Sequence, residues 1–176
     1  MCGIVGILRT DKAPVPRQTL EAMTAAVAHR GPDGQGMMIR DPVGFGHRRL
    51  AIIDLQTGQQ PMSNEDGMIR VTYNGEIYNY RELTEMLKAK GHKFATRSDT
   101  EVIVHAYEEW GPACVEKFRG MFAFALVDYR RQQLLLARDH FGIKPLYYRL
   151  GAGYVAFASE LAPLQLTGGD APAGNL

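Results

Sequence analysis

The sequence predicts an α+β protein built from antiparallel sheets and helices. Runs of β-branched and aromatic residues, which are typical of strands, occur towards both ends of the chain. Between them lie two or three segments whose apolar residues recur at helical spacing. Short turns join the strand segments, in place of the regular strand–helix alternation of a parallel sheet. A doubly wound parallel fold is therefore disfavoured.

The first part of the chain predicts a strand, a helix and three further strands. The stretch CGIVGIL predicts a buried strand that begins at residue 2. Leu20, Met23 and Val27 recur at helical spacing and predict a helix from near Pro16 to Arg30, which the RGPDG segment ends. The segments GMMIR, VGFGHRRLAII and MIRVTYN predict strands, and we expect them to pair antiparallel.

The remaining elements follow from capping signals and from further apolar runs. Residues 80–90 predict a short helix that ends at a glycine. Ser98 and Glu101 have the spacing of a capping box for the next helix, and a shorter helix follows near residues 112–118. The runs MFAFALVD, QLLLARD, LYYRL and YVAFAS then predict strands joined by hairpins.

Composition is that of a globular domain that stays in water. The chain of 176 residues is 45% hydrophobic and 22% charged, which is ordinary usage for one domain. Its 20 Lys and Arg balance 19 Asp and Glu, so neither nucleic acid nor an anionic membrane is predicted as a partner. No apolar run approaches the ~18 residues of a membrane span. No basic segment precedes the N-terminal apolar run, so we expect a cytoplasmic protein and not a secreted one.

The C-terminal residues differ from the rest of the chain. Residues 167–176 lose the apolar periodicity and are rich in Gly and Pro, which predicts a linker toward a second domain. The domain itself is then expected to span residues 2–166.

A cysteine directly follows the initiator methionine. If Met1 is removed, Cys2 carries both a thiol and a free α-amine. A free thiol has a pKa of ~8.5 and an α-amine a pKa of ~7.7–8.0, so the amine can act as the general base for the thiol, directly or through one water. The alternative is that Cys2 packs as a small hydrophobic residue in the first strand. The other cysteine, Cys114, gives no partner spacing for a disulfide framework or a CxxC site.

An Asn-Gly pair in VTYNGEIYNY is the second candidate feature. Such a pair is typical of a tight hairpin turn, but the residues after Asn74-Gly75 predict a helix, so no return strand follows. We therefore expect the pair to end a strand. There the Asn74 amide and an adjacent backbone N–H, unobstructed by a side chain at Gly75, would be suitable donors to an oxyanion formed in acyl transfer.

The histidines indicate no metal site. They stand at positions 29, 47, 92, 105 and 140, with neither an H-E-x-x-H motif nor a paired ligand spacing. The sequence therefore predicts a domain without a metal.

The chain resembles the glutaminase domain of class II glutamine amidotransferases, which are N-terminal nucleophile hydrolases, and specifically the asparagine synthetase type. Eight motifs that extend over nearly the whole chain carry the resemblance: MCGIVGI, HRGPDG, RRLAIID, YNGEIYNY, SDTEV, FRGMFAFAL, ARDHFGIKPLYY and FASE. The segment Leu50-Ala51-Ile52-Ile53-Asp54 stands where relatives with sugar-phosphate or purine acceptors usually have Thr-His-Gly. This difference favours the asparagine synthetase type.

The resemblance implies a fold and a reaction. The fold is the αββα four-layer sandwich of N-terminal nucleophile hydrolases, in which two stacked antiparallel sheets are flanked by helices. The reaction is the hydrolysis of L-glutamine to glutamate and ammonia. Cys2 matches the nucleophile of the family, and Asn74 and Gly75 match its oxyanion hole.

The resemblance also implies a set of substrate-binding residues. Arg49 matches the residue that holds the α-carboxylate of glutamine, and Glu76 and Asp99 match the residues around its α-amino group. Ile52 and Ile53 would add backbone contacts. Free glutamine is a zwitterion whose recognition requires one cationic and at least one anionic partner, and Arg49 and Asp99 carry those charges.

A second domain is implied outside these 176 residues. In the resembling enzymes a C-terminal synthetase domain receives the ammonia and uses ATP and Mg²⁺ to activate an acceptor carboxylate, most simply that of aspartate, and the full-length enzyme could form a homodimer. We expect no cofactor in the glutaminase domain itself. Two alternatives stay open: the same module could serve a peptide or β-lactam-type acceptor, or the chain could be a catalytically silent structural or regulatory domain.

Overall fold

A computed structural model describes residues 1–51, 57–168 and 173–176. Within these residues the strands are β1 Gly3–Arg9, β2 Gly34–Arg40, β3 Val43–Arg49, β4 Met62–Ser63, β5 Ile69–Ile77, β6 Gly120–Asp128, β7 Gln133–Arg138, β8 Tyr147–Gly151, β9 Tyr154–Ala158 and β10 Ala173–Asn175. The α-helices are α1 Arg17–Ala26, α2 Tyr80–Ala89, α3 Asp99–Trp110 and α4 Leu161–Gln165. Short 3₁₀ segments cover Ala28–Arg30 and Gly111–Lys117.

The described strands form two antiparallel sheets. One sheet has the order β10-β8-β9-β1-β3-β2, and the other has the order β4-β5-β6-β7. One buried cluster packs β1, β3 and β9 of the first sheet against β6 of the second. A second cluster packs α1 against the outer face of the first sheet, and a third packs α2 and α3 against the outer face of the second. The described elements therefore stack as helix, sheet, sheet and helix, which confirms the αββα prediction.

Strand β6 shows how the sequence produces the layers. Its side chains alternate between the two faces of the sheet, as in every strand. Phe122, Phe124 and Leu126 pack toward the helices. Ala123 and Ala125 face the first sheet. Small residues on the inner face allow the two sheets to pack closely, and the large residues fill the wider space under the helices.

Three predicted elements differ in detail from the observed ones. The helix predicted from Pro16 to Arg30 is divided into α1 and the following 3₁₀ turn. The strand MIRVTYN, predicted to pair with the two strands before it, lies in the second sheet between β4 and β6, whereas β2 and β3 pair with each other. Of the predicted capping box, Ser98 accepts a hydrogen bond from the Thr100 amide, but the carboxylate of Glu101 accepts from the amides of Ala95 and Thr96.

Two observations concern the ends of elements. Strand β5 does not end at Asn74-Gly75 as predicted; it continues to Ile77, because each residue up to Ile77 pairs with a residue of β6. Within the predicted linker, Ala173–Asn175 form β10 and pair with β8. No helix in the described ranges is both long and apolar enough to pass through a membrane.

Candidate active site

A cavity of about 230 Å³ opens where the two sheets meet the beginning of α3. Its lining includes every predicted catalytic or substrate-binding residue that lies in the described ranges, namely Cys2, Arg49, Asn74, Gly75, Glu76 and Asp99. Ile52 and Ile53, for which backbone contacts were predicted, lie outside the residues that the structure describes. The cavity thus unites residues from β3, β5, α3 and the start of the chain.

The thiol of Cys2 is held at the end of β3. Cys2 directly precedes β1, which pairs with β3, so its side chain meets the backbone of Leu50. The amide of Leu50 donates to Cys2 Sγ over 3.4 Å, and Sγ lies 3.5 Å from the Leu50 carbonyl oxygen. Burial raises the pKa of the Cys2 thiol, although the Leu50 backbone, the N-terminal charge and Arg49 oppose this effect. The resting thiol therefore stays protonated at neutral pH and requires a base.

Arg30 fixes the backbone at Cys2 and was not among the predicted site residues. Its Nε donates to the carbonyl oxygen of Cys2 over 3.0 Å, and its Nη1 donates to Glu160 over 2.9 Å. Arg30 lies within the HRGPDG motif, which was the available sequence signal. Because the Arg30 side chain is 9% exposed and charge-paired, it holds Cys2 rigidly against the end of β9.

Asn74 directs an amide with unused donors into the cavity. The residue is 1% exposed, and its Nδ2 has no hydrogen-bond partner among the described residues. Buried polar groups are normally paired, so an unpaired amide in a cavity indicates that a ligand supplies the acceptor. The next residue must be glycine, because a Cβ on Gly75 would lie 2.7 Å from Phe122 Cα and even closer to the Met121 carbonyl oxygen. Asn74 Nδ2 is therefore able to donate to a ligand in the cavity.

Asp99 is the first residue of α3 and is held by two donors. Its Oδ2 accepts from the Tyr73 hydroxyl over 2.7 Å and from the Ile77 amide over 3.1 Å. Burial raises the pKa of the Asp99 carboxyl, and these two hydrogen bonds oppose that effect. Burial and the same carboxylate raise the pKa of Tyr73 well above its ordinary value, so its hydroxyl remains a donor. Tyr73 was missed because its contact with Asp99 joins two distant segments.

Charges of both signs surround the cavity. Arg49 at the end of β3 supplies a cation, and Glu76 and Asp99 supply carboxylates. Gln60 connects two walls of the site: the Tyr73 amide donates to its Oε1 over 2.6 Å, and its Nε2 donates to Thr100 over 3.3 Å. This arrangement suits a small zwitterion, with its carboxylate toward Arg49 and its ammonium toward the acidic pair.

The first residue of the chain reaches the same cavity. Met1 lines it, and Nζ of the buried Lys144 lies 3.2 Å from the Met1 sulfur. With Met1 attached, the nitrogen of Cys2 is an amide without basicity, so removal of Met1 both frees space in the cavity and creates an amine beside the thiol.

Comparison with known proteins finds a family match over most of the chain. A family model described as a glutamine amidotransferase domain matches residues 1–171. An asparagine synthetase [glutamine-hydrolyzing] 1 of Bacillus subtilis is 45% identical over 175 residues, covering 97% of this chain and 27% of that protein. An asparagine synthetase [glutamine-hydrolyzing] 3 of Arabidopsis thaliana is 46% identical over 166 residues, covering 93% of this chain and 28% of that protein. The chain therefore spans roughly a quarter of the length of these relatives.

Solved structures share the fold. Glutamine phosphoribosylpyrophosphate amidotransferase from B. subtilis superposes with a TM-score of 0.78 at 22% sequence identity, over 99% of this chain and 44% of that chain. A structure described as the allosteric regulatory enzyme of purine biosynthesis gives a TM-score of 0.77 over the same shares. At this identity the likeness concerns the fold alone.

Proposed function

The chain belongs to the family of glutamine amidotransferase domains, and from this premise we propose that it hydrolyses L-glutamine with Cys2 as the nucleophile. One observation supports the assignment above the others. The thiol of Cys2, the unpaired amide of Asn74 and the backbone of Gly75 line a cavity that also contains Arg49 and Asp99. These are a nucleophile, an oxyanion site and the two charges that a free amino acid requires.

The first step forms a thioester. After removal of Met1, the α-amine of Cys2 accepts the thiol proton, and the sulfur attacks the side-chain amide carbon of glutamine. The oxygen of that amide becomes an oxyanion and accepts from Asn74 Nδ2 and the Gly75 amide. The protonated α-amine then donates its proton to the leaving nitrogen, so the C–N bond breaks and ammonia departs. Attack of water on the γ-glutamyl thioester releases glutamate and restores the thiol.

Substrate charges fit the walls of the cavity. In this proposal Arg49 pairs with the α-carboxylate, and Asp99, together with Glu76, pairs with the α-ammonium. Burial raises the pKa of Asp99 in the empty site, and an opposite charge within a few ångströms favours the ionised carboxylate. Glutamine binding therefore stabilises the charged form of Asp99 that holds it. Backbone contacts from Ile52 and Ile53 stay a prediction.

The ammonia is proposed to serve a synthetase domain. The relatives are asparagine synthetases about four times as long as the aligned region, which supports a C-terminal domain that uses ATP and Mg²⁺ to activate an acceptor carboxylate, with aspartate as the first candidate. A peptide or β-lactam-type acceptor remains the alternative. The absence of a catalytic cofactor in the glutaminase domain, a cytoplasmic location and a homodimer of the full-length enzyme also stay predictions.

The test combines the N-terminal mass with two assays. Intact mass selects a sample that lacks Met1, ammonia release is measured with glutamine, and an electrophilic glutamine analogue is used to label the nucleophile. We expect the label on Cys2, no label on Cys114, and no ammonia from a Cys2→Ala variant. The buried Cys114 is the matched control, since burial raises its pKa to about 12. Ammonia release that is unchanged in Cys2→Ala would refute the assignment of the nucleophile, and a trimmed parent that releases no ammonia would leave the catalytically silent domain.

A further inference from the structure

Two histidines and a glutamate meet between α3 and the segment that follows α2. His105 and Glu108 lie one turn apart on α3, and His92 comes from the other side. The ring centroids of His92 and His105 are 5.1 Å apart, and the ring of Phe94 packs 4.6 Å from His105. This cluster is separate from the cavity around Cys2, whose lining includes none of its members.

The Nδ1 atoms of both imidazoles lie near one carboxylate oxygen. Glu108 Oε2 lies 2.9 Å from His105 Nδ1 and 3.6 Å from His92 Nδ1. One ligand atom from each of the three residues lies within 4.8 Å of the others. Two imidazole nitrogens and one carboxylate oxygen at this separation are the donor set of zinc sites with three protein ligands, in which water takes the fourth position.

The outer nitrogens of both imidazoles provide a second, independent observation. His105 Nε2 lies 3.7 Å from Glu101 Oε1, and His92 Nε2 lies 3.4 Å from Glu109 Oε2. Histidines that bind metals almost always direct their second ring nitrogen at a carboxylate or a carbonyl, which fixes the ring and its tautomer. His92 has this arrangement, and Glu101 lies beside His105 Nε2 at a distance slightly longer than a hydrogen bond.

The glutamate is oriented as well. Asn64 Nδ2 donates to Glu108 Oε1 over 2.8 Å, which leaves Oε2 directed at the two Nδ1 atoms. His105 is 2% exposed, whereas the side chains of His92 and Glu108 are 17% and 20% exposed. A metal ion could therefore enter from the partly open side, with a packed wall behind it.

We propose that His92, His105 and Glu108 bind one Zn²⁺ ion. This departs from the prediction of a domain without a metal, which considered only spacing along the sequence. The ion would join the residues after α2 to α3. Glu101 extends this connection, because its carboxylate also accepts from the amides of Ala95 and Thr96. The segment that leads into Asp99 would be held more firmly, and the ion would take no part in the thiol chemistry.

The experiment measures zinc binding to the 176-residue chain in a Cys2→Ala background, because the thiol of Cys2 would itself bind zinc. Isothermal titration with ZnCl₂, and the metal content after dialysis, should give one equivalent per chain. His92→Ala and Glu108→Gln should each weaken binding by more than tenfold. Glu109→Gln keeps all three ligands but removes the carboxylate beside His92, which also pairs with Lys90, and should weaken zinc binding by about 10–100-fold. His140→Ala, which changes an exposed histidine elsewhere, should bind as the parent does.

Thermal unfolding gives a readout that does not depend on activity. Zinc at about 100 times its dissociation constant should shift the folding equilibrium about 100-fold toward the folded state, so the melting temperature of the Cys2→Ala parent should rise. Addition of zinc should not raise the melting temperature of Glu108→Gln. This variant has a nearly isosteric side chain, so it provides the comparison even if His92→Ala folds poorly. Absence of saturable binding in the parent, or binding that persists in Glu108→Gln, would overturn the proposal and leave an ordinary cluster of ion pairs.

Discussion

Replacing Tyr73 by phenylalanine tests whether Asp99 is the residue that binds the ammonium of glutamine. The change removes the hydroxyl that donates to Asp99 Oδ2 over 2.7 Å, a distance typical of a strong bond to a charged acceptor. The Ile77 amide still donates to the same oxygen over 3.1 Å. The carboxylate therefore stays in place but loses one of the two donors that oppose the effect of burial on its pKa.

The size of the effect follows from the strength of that hydrogen bond. A hydrogen bond to a charged group contributes about 1.5–3 kcal/mol. Because the Ile77 donor remains, we take the lower end, which corresponds to about a tenfold weaker preference for the ionised form. The ammonium is bound in the ground state and in the transition state alike, so we expect KM for glutamine to rise by up to about tenfold while kcat changes little.

The direction of the pH dependence is also fixed. Loss of the donor raises the pKa of Asp99 further above its ordinary value, so the carboxylate that binds the ammonium is protonated at a higher pH than in the parent. The ratio of the variant KM to the parent KM should therefore grow toward about tenfold as the pH is lowered and Asp99 becomes protonated. Initial rates of ammonia release at several glutamine concentrations measure both quantities.

Tyr107→Phe is the matched control. Tyr107 is also buried in the helix side of the second sheet, at 1% exposure against 2% for Tyr73, but its hydroxyl donates to Gln133 and not to a cavity residue. The Tyr107→Phe variant should therefore have the same KM for glutamine as the parent. A Tyr73→Phe variant with the parent KM at every pH, or an equal rise in KM for Tyr107→Phe, would refute the proposed role of the Tyr73–Asp99 contact.

Three further outcomes are expected. Asn74→Ala removes one oxyanion donor and should lower kcat for ammonia release by about 10²–10³-fold with a small change in KM; a kcat within twofold of the parent would contradict the oxyanion role. Gly75→Ala places a Cβ against the backbone of β6, so both the melting temperature and the activity should fall. A variant with the parental melting temperature would contradict the close approach of β5 to β6 at this residue. Burial lowers the pKa of His47 to about 3, below its unfolded value of ~6.5, so its contribution to stability decreases as the pH falls from the higher to the lower of these values. On lowering the pH from about 7 to about 5, the free energy of unfolding measured with urea should fall by about 2 kcal/mol more for the parent than for His47→Gln. Equal losses would contradict a buried neutral imidazole.

Most strands and helices could be predicted from the sequence because each carries its own pattern, whereas the αββα layers were implied by the resemblance to the family. The position where β5 ends could not be predicted, because the local signal and the tertiary pairing disagree. Asn74-Gly75 has the composition of a turn, yet β6 offers a pairing partner for every residue up to Ile77, and the pairing continues the strand. A rule that reads only neighbouring residues cannot include a partner that lies more than forty residues away.

The site was predictable where the resembling family gives a residue a role, and not where a role arises from contacts between distant segments. Asn74 and Asp99 match residues with known roles in the resembling family, so the sequence predicted both as site residues. Arg30 and Tyr73 act on the site through Cys2 and Asp99, across separations that no spacing rule covers. The pairing of His92 with His105 belongs to the same class, since a helix and the segment before it must fold before the two imidazoles meet.

The electrostatics of the cavity support the base that we propose. Arg49 lowers and Asp99 raises the pKa of the Cys2 thiol, and burial is the largest effect and raises it. A bound zwitterion that pairs its carboxylate with Arg49 and its ammonium with Asp99 weakens both charge effects together, so it leaves the effect of burial in place. Substrate binding alone therefore does not produce a thiolate. The proton must pass to a group beside the sulfur, and the α-amine that appears when Met1 is removed has a pKa near neutrality and lies on the same residue. A chain that retains Met1 lacks this amine and has Met1 in the cavity, so it should release no ammonia at any pH; ammonia release by that chain at raised pH would contradict the need for the amine.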